Sequence, residues 1–222
     1  MKRTRLKDRL LPSYTMGEEI MNMVTHISGG GLAILGSVPC IWKSASLGAA
    51  TLTGALIYCV TLICVYTMSS IYHGLRPSTG KKVLQILDHC TIYLLIAGSY
   101  SAIALGTLFD PFPILAMAVL AAQWGLAALA ITLTAIDLEK YNVFSMVCYI
   151  GMGWCVIFAI KTVIAAIGMA GFWLLLAGGI AYTVGAVLYG IGSKVRYMHS
   201  VFHLFVLAGS VLHFLCILLY VL

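Results

Sequence analysis

The stretch that decides the fold lies at the end of the chain and reads KVRYMHSVFHLFVLAGSVLHFLCILLYVL over residues 194–222. Its apolar part is long enough to cross a membrane, since a helix of about 20 apolar residues spans about 30 Å of hydrocarbon. Near its start, His199 and His203 are four residues apart, so a helix places both imidazoles on one face, one turn apart. The two rings could therefore converge on one ion. Because a histidine is costly to bury in a membrane, we expect this pair to face the interior of a helical bundle.

The same apolar character extends over the whole chain. Of its 222 residues, 62% are hydrophobic and 9% are charged, and the mean hydropathy is +1.03, which excludes an ordinary soluble domain. Only helices and closed barrels satisfy their backbone in lipid, and the alternating pattern of barrel strands is absent from the sequence. We therefore predict an all-α integral membrane protein, in which a basic N-terminal arm, 1–21, precedes one membrane domain, 22–222. Its seven transmembrane helices are expected at about 22–42, 47–72, 84–108, 112–136, 143–164, 169–191 and 199–221.

Positive charges indicate the orientation of these spans. If the N-terminus is cytoplasmic and the chain crosses seven times, only Lys43 and Lys161 of the 13 lysines and arginines fall outside. The positive-inside rule then predicts a cytoplasmic N-terminus and an external C-terminus, in a multi-pass protein of the plasma membrane. The basic arm is interpreted as a retention element that contacts anionic lipid headgroups. Nucleic-acid binding is not expected, because the charges are scattered over several loops.

The first two spans carry further polar residues at helical spacing. Glu19, Asn22 and His26 lie at i, i+3 and i+7 and therefore share one helix face. The alternative is an interfacial cap, since carboxylates suit a helix N-terminus and the asparagine could pack against a neighbouring helix. At the end of the second span, Ser69 and His73 share a face at i, i+4. Here the alternative is a histidine that reaches towards the headgroups.

The third span contributes a carboxylate. Asp88 lies six residues beyond Lys82, which is about 9 Å along a helix. A carboxylate at that depth needs a partner. The next residue, His89, points about 100° away around the helix. We therefore expect Asp88 to face inward and His89 to face the interface.

Other polar residues are not assigned to a site. His213 lies ten residues beyond His203, about 15 Å deeper along the helix, and is interpreted as a core histidine bonded to a neighbour. Asp137 and Glu139 lie in a basic inner loop and are expected to be solvated. The seven cysteines contain no C-x-x-C pair, so we expect them to be free and buried.

With the N-terminus inside, polar residues from spans one, two, three and seven reach one depth: His26, His73, Asp88, His199 and His203. At the outer ends of the spans, Asp110 is the only carboxylate. Three imidazoles with a carboxylate within reach fit a tetrahedral zinc site with one position open for water. Asp88 could then act on that water as a base or as an orienting group. A polar network without a metal is the alternative.

Five segments of the sequence carry a family resemblance. They are E-x-x-N-x-x-T-H at 19–26, S-x-x-x-H at 69–73, LDHxxIYLLIAGSY at 87–100, GMGW at 151–154, and H-x-x-x-H at 199–203 within RYMHSVFHLFVLAGS. Together they resemble the bacterial hemolysin III family, the prokaryotic branch of the progestin and adipoQ receptor superfamily, which is related to alkaline ceramidases. The resemblance covers nearly the whole chain.

The resemblance implies seven helices, a cytoplasmic N-terminus and a zinc ion near the cytoplasmic face. The zinc ligands that it implies are His73, His199 and His203, with Asp88 contacting the zinc water and Ser69 close by. Eukaryotic relatives are similar to alkaline ceramidases, and some are linked to ceramide hydrolysis. Bacterial relatives carry their name from reported haemolysis and are linked to membrane-lipid homeostasis. Expected partners are therefore membrane lipids and a lipid-like substrate or ligand.

Three classes of function follow from these observations. The first is a zinc-dependent hydrolase of a lipid-borne amide, or a lipid sensor on the same scaffold, in which Asp88 takes the proton and Ser69 stabilises the oxyanion. Candidates to surround the metal ligands are Glu19, Asn22 and His26. The second class is a pore-forming cytolysin or ion transporter, which should carry polar residues at several depths of a span. The polar set lies at one end, which favours a site over a conduit. A non-enzymatic, receptor-like signalling protein is the third class.

Overall fold

The computed structural model describes residues 4–192 and 195–222, so Lys2, Arg3 and Lys194, which entered the charge argument, lie outside it. All regular secondary structure in these ranges is helical. The described part of the chain contains seven α-helices: α1 Met16–Ser44, α2 Ala49–Gly74, α3 Thr79–Ile103, α4 Pro113–Ile136, α5 Asn142–Trp154, α6 Ile160–Gly192 and α7 Met198–Cys216. Helices α3 and α7 each end in a short π-helical turn, Ala104–Leu108 and Ile217–Val221.

Helix α1 begins six residues before the predicted span, at Met16 rather than residue 22. The reason is a capping box: the Thr15 hydroxyl accepts from the backbone N–H of Glu18 at 3.4 Å, and the Glu18 carboxylate accepts from the Thr15 N–H at 2.8 Å. Hydropathy locates the apolar stretch, whereas the cap locates the first turn. The added turns bring Glu19 into the helix ahead of Asn22.

The prediction of seven spans is only partly supported. Six helical segments of the described chain are long and apolar enough to cross a membrane. The predicted spans 143–164 and 169–191 correspond to one segment, Asn142–Gly190, which is 49 residues long and ends one residue before the second of them does. This segment combines α5, a 3₁₀ turn at Cys155–Ala159 and α6. Its helix is interrupted at Gly168, whose φ of 69° and ψ of 172° are not helical and favour glycine.

The helices pack in a ring in which each contacts its neighbours in sequence and α7 returns to α1. The main core joins α1, α2, α3, α6 and α7 through buried side chains that include Tyr58, Tyr66, Leu95 and Cys216. Glu19 contacts His73 and Lys81, and Glu18 accepts from the backbone N–H of Tyr197, so the start of α1, the end of α2, the start of α3 and the start of α7 meet. We call this the histidine end of the bundle.

The N-terminal arm lies against the body of the protein at the histidine end. Arg9 is only 3% exposed, and its Nη2 donates to the carbonyl of Ile136 at 3.2 Å. The Asp137 carboxylate accepts from the backbone N–H of Thr4 at 2.8 Å and of Lys140 at 3.2 Å. These hydrogen bonds hold the pKa of Asp137 below its usual range.

The expectation that Asp137 is solvated is therefore wrong, since the arm covers it and leaves it 1% exposed. All seven cysteines are free, as predicted, whereas the expectation of burial holds for four of them and the other three are partly exposed.

Candidate metal centre

Three histidines from two helices converge at the histidine end. His73 lies in the last turn of α2, and His199 and His203 lie in the first two turns of α7. All three are buried, and each offers one ring nitrogen within 4.8 Å of the other two. The Nε2 atoms of His199 and His203 are 3.1 Å apart. Two nitrogens bound to one tetrahedral zinc at 2.0–2.1 Å would be separated by about 3.3 Å, so the spacing suits shared coordination.

The opposite ring nitrogens of two of these histidines are held by hydrogen bonds. His73 Nδ1 lies 2.7 Å from Oε2 of Glu19, and His203 Nδ1 lies 3.2 Å from the backbone carbonyl of Asn22. Both oxygens accept only, so each Nδ1 carries the hydrogen and each Nε2 is left with a lone pair. Ligating histidines in metal proteins are held in this way.

One nitrogen of this cluster has no partner. His73 Nε2 is buried and makes no hydrogen bond within the described part of the chain. An unsatisfied buried acceptor costs about 1–3 kcal/mol. A metal ion would satisfy this nitrogen together with the two on α7. The residues present therefore fit a metal ion, and this group of three histidines could hold one.

The Glu19–Asn22–His26 face of α1 is directed at the cluster rather than at the interface. Asn22 Oδ1 accepts from the Ser200 hydroxyl at 2.6 Å, which ties α1 to α7. The His26 ring stacks on His203 with centroids 3.7 Å apart and an interplanar angle of 14°. Both nitrogens of His26 are buried and lack a partner among the described residues. The stripe inferred from sequence spacing thus lines one side of the histidine cluster.

A cationic residue that the sequence analysis counted among the loop charges completes this side. Lys81, in the first turn of α3, is 2% exposed. Its Nζ donates to Glu19 Oε1 at 2.5 Å and to the carbonyl of Leu75 at 2.9 Å. The predicted third span began at residue 84, which left Lys81 in a loop, whereas in the structure Ser78 caps α3 three residues before it. A signal for its burial was therefore absent from the sequence.

A cavity of about 480 Å³ opens beside the cluster and runs through the bundle towards Leu108. Its wall is mostly apolar, and its polar residues at the histidine end include Ser69, Asp88, His199 and His203. Ser69 of α2 and Asp88 of α3 thus line the cavity from two neighbouring helices. His73 is not part of this wall, because its side chain is completely buried on the Glu19 side of the cluster.

His89 corrects one expectation from the sequence. It was expected to face the interface, yet it lines the same cavity as Asp88, and its ring lies 5.9 Å from that of Tyr189. The cavity is wide enough to contact two adjacent residues of α3. Asp88 and His89 therefore both line it, although their side chains point about 100° apart around the helix.

The N-terminal arm also reaches the cluster, which the sequence analysis did not anticipate. The Tyr14 ring stacks on His199 with centroids 5.0 Å apart and an angle of 27°, and it lies 6.0 Å from the ring of His73. Tyr14 also lines the cavity. Burial raises its pKa well above the usual value, so its hydroxyl stays protonated and able to donate. This contact could not be predicted from the sequence, because Tyr14 is a single tyrosine that follows a run of basic residues and belongs to no motif.

His213 lies apart from the cluster, as predicted. Its Nε2 lies 3.1 Å from the carbonyl of Leu175 on α6, and it therefore donates to a neighbour. Next to it the hydroxyls of Tyr182 and Ser210 are 2.8 Å apart. His213 and Tyr182 line the cavity, so the polar residues of its wall are not confined to the histidine end.

Comparison with known proteins places these features in a family. The family model described as Haemolysin-III related matches residues 14–214. The chain is 39% identical to Hemolysin-3 of Bacillus cereus over 206 residues, which is 92% of each chain. It is 36% identical to the Hemolysin-3 homolog of Bacillus subtilis (strain 168) over 208 residues, 93% of this chain and 96% of the relative.

A more distant relative is the human Monocyte to macrophage differentiation factor, at 27% identity over 171 residues, which cover 73% of this chain and 68% of the relative. The match to the family model spans most of the chain and includes all three convergent histidines. The chain therefore belongs to the haemolysin-III related family and is a multi-pass membrane protein.

Proposed function

We propose that this protein is a zinc-dependent hydrolase that cleaves an amide bond of a membrane lipid, with His73, His199 and His203 as the zinc ligands. The observation that carries the proposal is the unpartnered, buried Nε2 of His73, which faces the two α7 histidines at the end of an apolar cavity. Neutral imidazoles suit zinc, and the described cysteines lie outside the cluster. A zinc ion held by these three histidines would supply Lewis acidity towards a carbonyl and would lower the pKa of a water molecule.

The protein's own groups supply the remaining parts of the reaction. The Asp88 carboxylate lines the cavity next to the histidines and accepts the proton of the attacking water. It then returns this proton to the amide nitrogen, so that the C–N bond breaks and the amine and the fatty acid leave. The Ser69 hydroxyl, which lines the same cavity, donates a hydrogen bond to the oxyanion that develops on the carbonyl. The apolar cavity holds the lipid chain and excludes bulk water, and its volume of about 480 Å³ is typical of ligand pockets.

Two other functions use the same structure. A lipid sensor or receptor-like protein would bind the lipid at this site without turnover. A pore-former is suggested by the name of the Bacillus cereus relative, Hemolysin-3. A pore needs a file of polar groups, whereas the mid-depth groups around His213 bond to one another or to the backbone. The geometry therefore favours a lipid-binding site, as a hydrolase or a sensor has, over a pore.

The test is elemental and lipid analysis of detergent-purified protein, followed by incubation with a fluorescent ceramide. We expect about one zinc per chain, a co-purifying lipid, and release of the fluorescent fatty acid. Zinc and lipid without release would favour the sensor over the hydrolase. Protein purified without chelators that carries no transition metal would contradict the metal centre itself, and the polar network would take its place.

We also infer that the chain crosses the membrane seven times, from a cytoplasmic N-terminal arm to an external C-terminus. The 49 residues of Asn142–Gly190 would extend about 73 Å as one straight helix, more than twice the hydrocarbon thickness. The break at Gly168 divides this segment into two lengths that each suit one crossing. A fluorescent reporter active only in the cytoplasm, fused after Leu222, should leave the cells dark. Bright cells would overturn the orientation.

A further inference from the structure

We propose that Lys81 is a positioning residue of the metal centre, which acts through Glu19 to hold the ring of His73 with its Nε2 towards His199 and His203. The inference rests on the proposed metal centre and assigns a role to a side chain that does not touch the metal. Lys81 belongs to α3, whereas the ligands belong to α2 and α7.

The environment of Lys81 is that of a fixed internal charge. Its side chain is 3% exposed, compared with 16% for that of Glu19. Its Nζ meets one carboxylate oxygen and one backbone carbonyl, and it lies 5.2 Å from the centre of the Tyr72 ring. A buried ammonium is unfavourable unless it is paired and hydrogen-bonded, and here both conditions are met. The ammonium therefore has little freedom to leave this position.

The two oxygens of Glu19 are divided between two partners. Oε1 accepts from Lys81 at 2.5 Å, and Oε2 accepts from His73 Nδ1 at 2.7 Å. With Lys81 in place, both oxygens of the Glu19 carboxylate are held by hydrogen bonds. The bond from His73 Nδ1 to Oε2 then fixes the orientation of the imidazole. Without Lys81, Oε1 loses its charged partner and the carboxylate can turn away from His73. The metal-facing nitrogen would then lose its alignment.

Lys81 also connects the backbone that carries His73. The carbonyl of Leu75, two residues after His73, accepts from Lys81 Nζ at 2.9 Å. The N–H of Lys81 itself donates to the Ser78 hydroxyl at 3.1 Å, which caps α3. The end of α2 and the start of α3 are thus joined at the point where the ligand leaves α2. The contact with Leu75 holds Lys81 in place at this junction, and its effect on the imidazole passes through the Glu19 carboxylate.

The adjacent lysine offers a matched control. Lys82 follows Lys81 in the same helix, but its Nζ donates to the carbonyl of Lys7 in the N-terminal arm at 2.7 Å, in an exposed position. Lys82→Met removes one positive charge from the same turn without touching Glu19. A difference in zinc affinity between the two variants is therefore due to the contact of Lys81 with Glu19 and not to the loss of a positive charge.

The experiment measures the dissociation constant of zinc by competition with a chelator, for the full-length protein in detergent. Lys81→Met should weaken zinc binding about 10- to 100-fold, as loss of an outer-shell partner does, and Lys82→Met should stay within about twofold of wild type. Glu19→Gln should weaken it as well. Because Lys81 acts through Glu19, Lys81→Met combined with Glu19→Gln should be no weaker than Glu19→Gln alone. The visible spectrum of Co²⁺ bound in place of zinc should change in Lys81→Met and not in Lys82→Met.

Wild-type affinity in Lys81→Met would overturn the inference while leaving the metal centre intact. Additive losses in the double variant would also overturn it, since they indicate that the lysine acts only on general stability. Absence of zinc from the wild-type protein would instead contradict the proposed function. If Lys81→Met does not fold, Lys81→Gln is the second variant. Its amide can still donate to Leu75 but has no charge for Glu19, so the same loss of affinity is expected, and wild-type affinity would again overturn the inference.

Discussion

His203 and His213 lie ten residues apart on α7, inside the same bundle and along the same cavity, yet their surroundings differ. His203 has one nitrogen on a backbone carbonyl and the other 3.1 Å from His199 Nε2, with His26 stacked on its ring. His213 has Nε2 on the carbonyl of Leu175 and no second histidine among its ring contacts. The presence of a buried histidine therefore indicates little by itself. Its partners decide whether it is a ligand or a packed polar group.

Packing around the two rings explains the difference. At His203, the ends of α1, α2 and α7 bring in polar side chains that face one another. At His213, α6 approaches so closely that a Cβ on Gly178 would lie 2.2 Å from Cδ2 of the His213 ring. In return, Gly209 of α7 leaves room for the ring of Tyr182, with the nearest atoms 3.0 Å from where a Cβ would be. The surroundings of His213, which we call the deep site, are a close contact between α6 and α7 that Gly178 and Gly209 permit. The histidine end is instead a convergence of polar side chains.

The largest expected effect is on zinc content, which should distinguish His203 from His213. His203→Ala should remove most of the bound zinc, because it deletes one of three ligands and unpairs His199. His213→Ala should leave the zinc content unchanged, since its ring bonds to the α6 backbone. Elemental analysis of the two purified variants is the measurement. Equal losses of zinc in the two variants would contradict the different roles that we assign to His203 and His213.

A second effect tests the chemistry at the histidine end without disturbing the ligands. Asp88→Asn keeps the size of the side chain and an oxygen for hydrogen bonding, but it removes the charge that a base requires. We expect zinc content to stay at the wild-type level and ceramide hydrolysis to fall by about 10²- to 10⁴-fold. Full hydrolysis in this variant would remove Asp88 from the role of base.

A third effect concerns the deep site. Gly178→Ala places a methyl group against the His213 ring and should destabilise the protein by about 1–3 kcal/mol through overpacking. Gly179→Ala is the matched control, because nothing lies within 4 Å of its added Cβ. Thermal unfolding in detergent measures both, and zinc content should not change in either. A loss of zinc in Gly178→Ala would mean that the deep site and the metal centre are coupled.

The smallest effect sharpens the description of the histidine end. Tyr14→Ala should speed the release of zinc to a water-soluble chelator by up to about tenfold, because the ring that stacks on His199 is lost. Tyr14→Phe keeps the ring and should release zinc at the wild-type rate. Leu10→Ala, at an exposed position of the same arm, is the control for disturbance of the arm. Identical release rates in all three would show that Tyr14 does not shield the metal.

Much of the metal centre could be predicted from helical spacing. The separation of four residues between His199 and His203, and that of three and seven residues along Glu19, Asn22 and His26, define faces within single helices. Those faces are the ones that meet in the structure. The roles of Asp88 and Ser69 stay predictions, although their side chains lie together in the cavity wall. What spacing could not provide is the rotation of one helix relative to another.

The sequence by itself determined that this protein is helical and membrane-embedded, because long apolar blocks have no other way to satisfy their backbone in lipid. It also determined which residues share a face of each helix. Only the tertiary structure decided that Lys81 reaches Glu19 across 62 positions of the chain, that Tyr14 covers His199, and that His89 faces the cavity. These contacts join helices that are distant in sequence. They depend on how side chains of different helices fit together, and the periodicity of a single helix carries no information about that fit.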